Sequence, residues 1–80
     1  MTPLPVLTYH RMDKALVSLG FKKIRQKGSH VFYRNSDGRT TTVPNHAGDL
    51  AKPLVREILH EINITPEQLQ HWIDQFCPKC

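Results

Sequence analysis

The sequence is poor in cysteine and has no long apolar run. Its two cysteines, Cys77 and Cys80, form a single C-x-x-C in the last four residues. A structural zinc site needs four ligands and typically two such pairs, and a redox pair normally opens a helix after a strand, so neither use is favoured. No apolar segment is long enough to cross a bilayer, and no charged-then-apolar leader is recognisable. We therefore expect a cytoplasmic protein.

Acidic residues are also few compared with basic ones. The chain has 11 Lys and Arg against 7 Asp and Glu, with 5 His, a net charge of +4 and a pI of about 9.4. A small basic domain of this kind suggests a polyanionic partner, most simply nucleic acid, although the charge could serve solubility alone. Eighty residues predict one domain, spanning residues 1–80, with a modest core.

The segment from Lys27 to Pro44 predicts a turn, a strand, a second turn and another strand. Gly28 and Ser29 suit a two-residue hairpin loop, because a type II′ turn needs positive φ at its first central position. Aromatic and β-branched residues follow, and Pro44 ends the last extended run. The predicted strands are residues 21–27, 30–34 and 40–43.

Apolar residues at helical spacing predict helices over residues 9–19 and 53–62, and a third after Thr65. Thr8 is a suitable N-cap, and Thr65 with Gln68 forms a capping-box pattern. The stripe of residues in the third helix is interpreted as helix packing; it consists of Leu69, Trp72, Ile73 and Phe76. The first seven residues contain two prolines and are expected to be an extended, weakly held lead-in.

A two-residue hairpin also predicts the strand register. Lys27 would face His30, Arg25 would face Phe32, and Lys23 would face Arg34. Those six side chains would share one face of the sheet. The opposite, apolar face would lie under the helices and carry Ile24, Val31 and Tyr33.

The predicted fold is α+β, a two-layer α-β-β-β-α sandwich with a short extra C-terminal helix. Helices cover one face of the sheet and leave the other open. The architecture resembles the double-stranded RNA-binding domain. The open face would carry four cations, one histidine and one aromatic ring. This set suits RNA, although cations can also simply keep a sheet edge soluble.

Five short motifs resemble the HicA (YcfA-like) toxin family in their order and spacing. They are Leu16-x-x-Leu19-Gly20-Phe21, Lys27-Gly28-Ser29-His30, Asp37-Gly38-Arg39, Val43-Pro44-x-His46 and Leu54-x-x-x-Ile58-Leu59. The resemblance covers a core of about residues 8–64 and leaves the C-terminal helix and tail, 65–80, outside. The family's commoner Lys-Pro-Gly-Thr-Leu opening of the second helix is replaced by Lys52-Pro53-Leu54, which changes a helix cap and not the candidate site.

The resemblance implies a small metal-independent ribonuclease that cuts mRNA in single-stranded regions. Its catalytic residue would be the histidine of the Gly-Ser-His turn, which is His30 here. A HicB antitoxin would be the inhibitory partner, and no cofactor or metal is implied.

A histidine suits this chemistry because its side chain titrates near neutral pH and can take the proton of a 2′-hydroxyl. The candidate RNA ligands are the phosphate-binding cations Lys23, Arg25, Lys27 and Arg34, the amides of Gly28 and Ser29, and Phe32 as a stacking ring. His46 is the only candidate for a second acid or base, with a loop tether as its alternative. Asp37 and Glu57 do not form a convincing carboxylate pair, which argues against a glycosidase or metal hydrolase.

Two other functions compete with catalysis. A non-catalytic RNA-binding module could use the same face of the sheet. An interaction protein could dock an acidic partner there, and for a toxin this role could coexist with catalysis if an antitoxin covers His30.

Overall fold

Within residues 4–76, which the computed structural model describes, the chain forms three helices and three strands. Their order is α1 (Tyr9–Ser18), β1 (Phe21–Lys27), β2 (His30–Asn35), β3 (Thr40–Pro44), α2 (Lys52–Ile62) and α3 (Pro66–Phe76). The strands form an antiparallel sheet in the order β1-β2-β3. The predicted α+β order of elements is confirmed, and the predicted bounds of the elements agree to within one residue at each end.

The sheet has one covered and one open face. Along β2, Val31 and Tyr33 are buried under the helices, while His30 and Arg34 are exposed and Phe32 is half-buried. Strand β3 continues this alternation. A period of two in burial is expected of a strand with one face on a core, and it gives the predicted two-layer sandwich.

The core lies between the covered face of the sheet and the helices. Its largest fully buried side chains are Tyr33, Phe21, Leu7, Met12, Leu16, Ile58, Ile62, Leu69, Val31, Val43 and Val55. Full burial of one such aliphatic or aromatic side chain stabilises the folded state by about 1.5–3 kcal/mol. Most of the core side chains that come from α1 and α2 are the apolar residues whose spacing predicts these helices.

The helix ends form as the sequence predicts. The Thr8 hydroxyl accepts a hydrogen bond from the Arg11 amide at 3.3 Å. Thr65 and Gln68 make both bonds of a capping box, at 2.8 and 3.1 Å. Gly20 follows α1 with φ of 94°, a conformation that suits glycine because it has no Cβ.

The prediction of a weakly held N-terminal lead-in is wrong for residues 4–7. Leu7 is fully buried, and Leu4 packs against the core from a partly buried position. The Leu50 amide donates a 2.7 Å hydrogen bond to the Leu7 carbonyl, and Thr8 bridges to Asp49. The prolines make this segment extended, but its leucines give it apolar surface that burial stabilises.

The predicted register of β1 is correct near the hairpin turn and wrong beyond Arg25. A β-bulge between Lys23 and Arg25 places Ile24 opposite no residue of β2, so Lys23 faces Tyr33 and Lys22 faces Arg34. Ile24 is 55% exposed and not part of the covered face. The bulge reverses the alternation, because one extra residue moves every earlier side chain to the other face.

The physical reason for the bulge is Phe21. It is 2% exposed and faces Asn35 on the covered side of the sheet. Strict alternation would put Phe21 on the same face as Arg25 and Lys27, and its ring would be left in solvent. The bulge lets one strand bury this aromatic ring at its start and expose the two cations at its end.

The third helix packs on the rest of the molecule, as its apolar stripe predicts. Leu69 is 2% exposed, and Trp72 and Ile73 are partly buried against the core. The side chain of Phe76 and the pair Cys77 and Cys80 lie outside the described residues. None of the helices in residues 4–76 has the length and apolar character needed to cross a bilayer.

Candidate nucleic-acid interface

The β1–β2 turn has the predicted two-residue geometry. Gly28 has φ of 59° while Ser29 does not have a positive φ, which are the signs of a type II′ turn. Lys27 faces His30 across it. The Gln26 side chain donates to the Gly28 carbonyl at 3.0 Å. Within the described residues neither the Gly28 nor the Ser29 amide donates a hydrogen bond, so both are free to bind an anion.

His30 is the first residue of β2 and is exposed on the open face. It lies between Lys27 of β1 and Pro44 of β3 in the register of the sheet. In the part of the chain that the structure describes, its imidazole makes no hydrogen bond. His30 lines a surface hollow of ≈ 440 Å³, whose other lining residues are Thr42, Pro44, Leu54, Glu57 and Glu61.

The open face carries a cluster of cations around one aromatic ring. Arg25 faces Phe32, and its guanidinium carbon lies 4.6 Å from the centre of that ring, a cation–π distance. Lys27 and Arg34 lie on the same face, one at each end of this pair. The predicted grouping of Arg25, Lys27, His30, Phe32 and Arg34 on one face is therefore confirmed. We call this set, together with Lys22, the basic face.

Lys23 is the predicted ligand that the structure places elsewhere. It faces Tyr33 on the covered side, where its Nζ lies 3.4 Å from Asp13 Oδ1 and 6.0 Å from the centre of the Tyr9 ring. The Asp13 carboxylate raises the pKa of Lys23. Lys23 was predicted to bind RNA because it would pair with Arg34 on the open face, and the predicted pairing is wrong.

Lys22 takes the position on the basic face that was predicted for Lys23. It faces Arg34 and borders a second hollow with Ile24 and Arg34. Sequence reasoning missed Lys22 because it assumed strict alternation along β1. The signal was present in Phe21, since strict alternation would have exposed that ring together with the cations.

The loop after β3 is tied to the turn that precedes His30. The Asn45 amide donates a 2.6 Å hydrogen bond to the Ser29 carbonyl. The next residue, His46, is exposed, and its Nδ1 lies 3.0 Å from the Ala47 carbonyl oxygen. A carbonyl oxygen only accepts, so Nδ1 carries the proton of this bond and Nε2 is left for another partner. This bond fits the tether that was the alternative reading of His46.

Arg39 and Asp37 lie at the opposite end of the sheet from His30, and their contacts hold the fold together. The Arg39 guanidinium donates to the Ile62 carbonyl at the end of α2 and lies 5.2 Å from the centre of the Phe21 ring. It also pairs with Asp37 at 2.8 Å. The backbone amide of Arg39, and then its side chain, lower the pKa of Asp37. Asp37 and Arg39 therefore fasten the β2–β3 turn to α2, away from His30.

No group of three or more His, Cys, Asp or Glu side chains in residues 4–76 is placed to hold a metal ion. The geometry instead defines a class of protein: a small α+β sandwich with an open basic sheet face and an exposed histidine at its first hairpin turn. Comparison with known families identifies the group. The family model described as the HicA toxin of bacterial toxin–antitoxin systems matches residues 9–64, and the chain belongs to that family. No curated protein matches the sequence at a significant level.

Proposed function

We propose that this HicA-family chain is a metal-independent endoribonuclease that cuts mRNA, with His30 as its catalytic residue. The observation that carries the proposal is the setting of His30, an exposed imidazole beside two free turn amides on a basic sheet face. If His30 served only to stabilise the fold, its ring would be expected to be buried or to have a hydrogen-bond partner. His30 has neither within residues 4–76.

In the proposed reaction His30 takes the proton of a 2′-hydroxyl. The 2′-oxygen forms a bond to the adjacent phosphorus, and the bond from phosphorus to the 5′-oxygen breaks. The departing 5′-oxygen takes a proton from an acid or from water, so the products are a 2′,3′-cyclic phosphate and a 5′-hydroxyl, and no metal ion or cofactor takes part. A positioned base of this kind contributes about 10²–10⁴-fold to the rate. The Gly28 and Ser29 amides would donate to the phosphate oxygens, where negative charge develops.

The rest of the basic face would bind the RNA chain. Lys22, Lys27 and Arg34 would contact phosphates, and the stacked pair of Arg25 and Phe32 would offer a flat surface to an unpaired base. Exposed bases occur in single-stranded regions, so these are the expected substrate. Lys23 lies on the covered side of the sheet beside Asp13, and we do not include it among the phosphate contacts.

An antitoxin would inhibit the enzyme by covering His30. Membership of a toxin–antitoxin family makes a protein antitoxin the expected partner. The basic face would attract acidic side chains as well as phosphates. We place the protein in the cytoplasm, where its substrate is translated, and treat residues 1–80 as one functional domain.

The test is a gel assay of mRNA cleavage in EDTA. The purified protein is compared with His30→Ala and with His10→Ala, which removes an exposed histidine of α1 and serves as the matched control. We expect cleavage by the parent and by His10→Ala, and none by folded His30→Ala. Cleavage that survives in His30→Ala would contradict the assignment of the site.

A non-catalytic RNA-binding module is the second candidate, and the stacking of Arg25 on Phe32 favours it as much as it favours the nuclease. The same assay separates the two functions. RNA binding with no cleavage by any of the three proteins would support the binding module and contradict the nuclease.

A further inference from the structure

We infer that His46 is the general acid of the cleavage reaction and donates a proton to the departing 5′-oxygen. This inference rests on the proposed function, which assigns the opposite proton transfer to His30. It adds a second catalytic residue to the site, on the loop that follows β3.

The backbone places His46 at the same end of the sheet as His30. Pro44 faces His30 in the register, and His46 follows Pro44 by two residues. Paired Cα atoms are about 5 Å apart and two residues span at most about 7 Å, so the two histidine Cα atoms lie within about 12 Å. The 2.6 Å bond from the Asn45 amide to the Ser29 carbonyl holds the loop against the turn that carries His30.

The hydrogen bond of His46 leaves a reactive nitrogen available. Its Nδ1–H donates to the Ala47 carbonyl at 3.0 Å, which orients the ring and fixes that proton. Nε2 is therefore the atom that would gain and give a proton. The residue is exposed, as a group that must reach substrate and exchange protons with solvent has to be.

The chemistry requires such a group. An alkoxide is a poor leaving group, so breakage of the bond from phosphorus to the 5′-oxygen is accelerated by proton donation to that oxygen. His30, having just accepted a proton from the 2′-hydroxyl, serves the other side of the phosphorus. Among the described residues that line the hollow beside His30 there is no second imidazole, and His46 lies on the loop that the Asn45–Ser29 bond holds against the turn.

The decisive experiment changes the leaving group. Two oligoribonucleotides are compared, one with all-oxygen linkages and one with a bridging 5′-sulfur at a single linkage, because a thiolate leaves without protonation. His46→Ala should lower kcat on the oxygen substrate by about 10²–10⁴-fold, with little change in KM. On the sulfur substrate it should cleave at close to the parental rate.

Three further proteins complete the design. His30→Ala should be slow on both substrates, because loss of the base is not relieved by a better leaving group. His10→Ala should match the parent on both. His46→Asn keeps an N–H donor at the position of Nδ1 for the Ala47 carbonyl but has no acid, so it should behave like His46→Ala. Recovery of the parental rate on oxygen RNA would identify His46 as a tether and overturn the inference.

The remaining outcomes also decide the matter. If His46→Ala is equally slow on both substrates, its role is to position other groups and the inference fails. If it cleaves oxygen RNA at the parental rate, the inference fails while His30 keeps its proposed role. If the parent cleaves neither substrate, the proposed nuclease function fails first.

Discussion

The hydroxyl of Tyr33 donates a 2.6 Å hydrogen bond to Oδ1 of Asp13, which joins the covered face of β2 to α1. The Tyr33 hydroxyl has one proton, so the Tyr9 hydroxyl, 2.8 Å away, must be the donor in their bond. A chain of polar groups therefore runs from Tyr9 through Tyr33 to Asp13 at the margin of an otherwise apolar core. Each buried hydroxyl in it has a partner.

Tyr33→Phe is expected to destabilise the protein by about 1–3 kcal/mol, because it removes the hydrogen bonds that the Tyr33 hydroxyl makes with Tyr9 and Asp13. Urea denaturation would measure the difference in the free energy of unfolding. Lys23→Ala is the control, since the Lys23 side chain is 52% exposed and its ion pair with Asp13 should contribute less than about 1 kcal/mol. Equal losses in the two variants would contradict this account.

The same contact predicts a loss of stability at alkaline pH. Burial, and then the hydrogen bonds with Asp13 and Tyr9, raise the pKa of Tyr33. The unfolded chain releases this proton near tyrosine's ordinary pKa of about 10, while the folded chain keeps it. The free energy of unfolding should therefore fall as pH rises above about 10, by up to about 1.4 kcal/mol per pH unit from this group.

The control for the pH experiment is again Tyr33→Phe, which has no proton to lose at that position. Urea denaturation of both proteins between about pH 8 and pH 11 should give curves that converge at the alkaline end. A difference between parent and variant that does not change with pH would contradict the assignment to Tyr33.

The bulge in β1 predicts that two adjacent lysines differ in their contribution to RNA binding. Lys22 lies on the basic face opposite Arg34, and Lys23 lies on the covered side beside Asp13. In a His30→Ala background that does not cleave, Lys22→Ala should reduce the slope of log affinity against log salt by about 0.7, the value for one phosphate contact. Lys23→Ala should leave that slope unchanged. If Lys23→Ala reduced the slope and Lys22→Ala did not, the register without a bulge would be correct.

A second consequence of the bulge concerns stability. Ile24→Thr should change the free energy of unfolding by no more than about 0.5 kcal/mol, because Ile24 is 55% exposed. Val31→Thr should cost about 1–3 kcal/mol, because Val31 is 1% exposed and a hydroxyl would be buried in its place. Guanidinium denaturation of both variants compares the two positions. A large loss from Ile24→Thr would mean that its side chain reaches the core.

The turn could be predicted from the sequence because its causes are local. A glycine that tolerates positive φ and a two-residue loop define the pairing of Lys27 with His30 and of Arg25 with Phe32, and the structure has both. The bulge was not predicted because its cause is the burial of Phe21, four residues before Arg25. Alternation counted from the turn carries no information about which side chain the core buries at the other end of the strand.

The hollow beside His30 could not be predicted for a related reason. It forms where α2 packs along β3, which brings Leu54 and Glu57 next to a histidine more than twenty residues earlier in the chain. No periodicity in the sequence specifies that contact. The loop of His46 is an intermediate case: its sequence suggested a candidate residue, and the bond from Asn45 to Ser29 shows how it is held.

Phe32 provides the last prediction, which tests base stacking separately from phosphate contact. Phe32→Leu keeps an apolar side chain beneath Arg25 but removes the aromatic plane. In the His30→Ala background it should weaken binding of single-stranded RNA by about 1–3 kcal/mol, the usual contribution of one stacked base. An RNA that is abasic at every position but has the same phosphates should bind parent and variant equally. Fluorescence anisotropy with both ligands would measure this, and equal weakening on the abasic chain would mean that Phe32 supports the cations rather than a base.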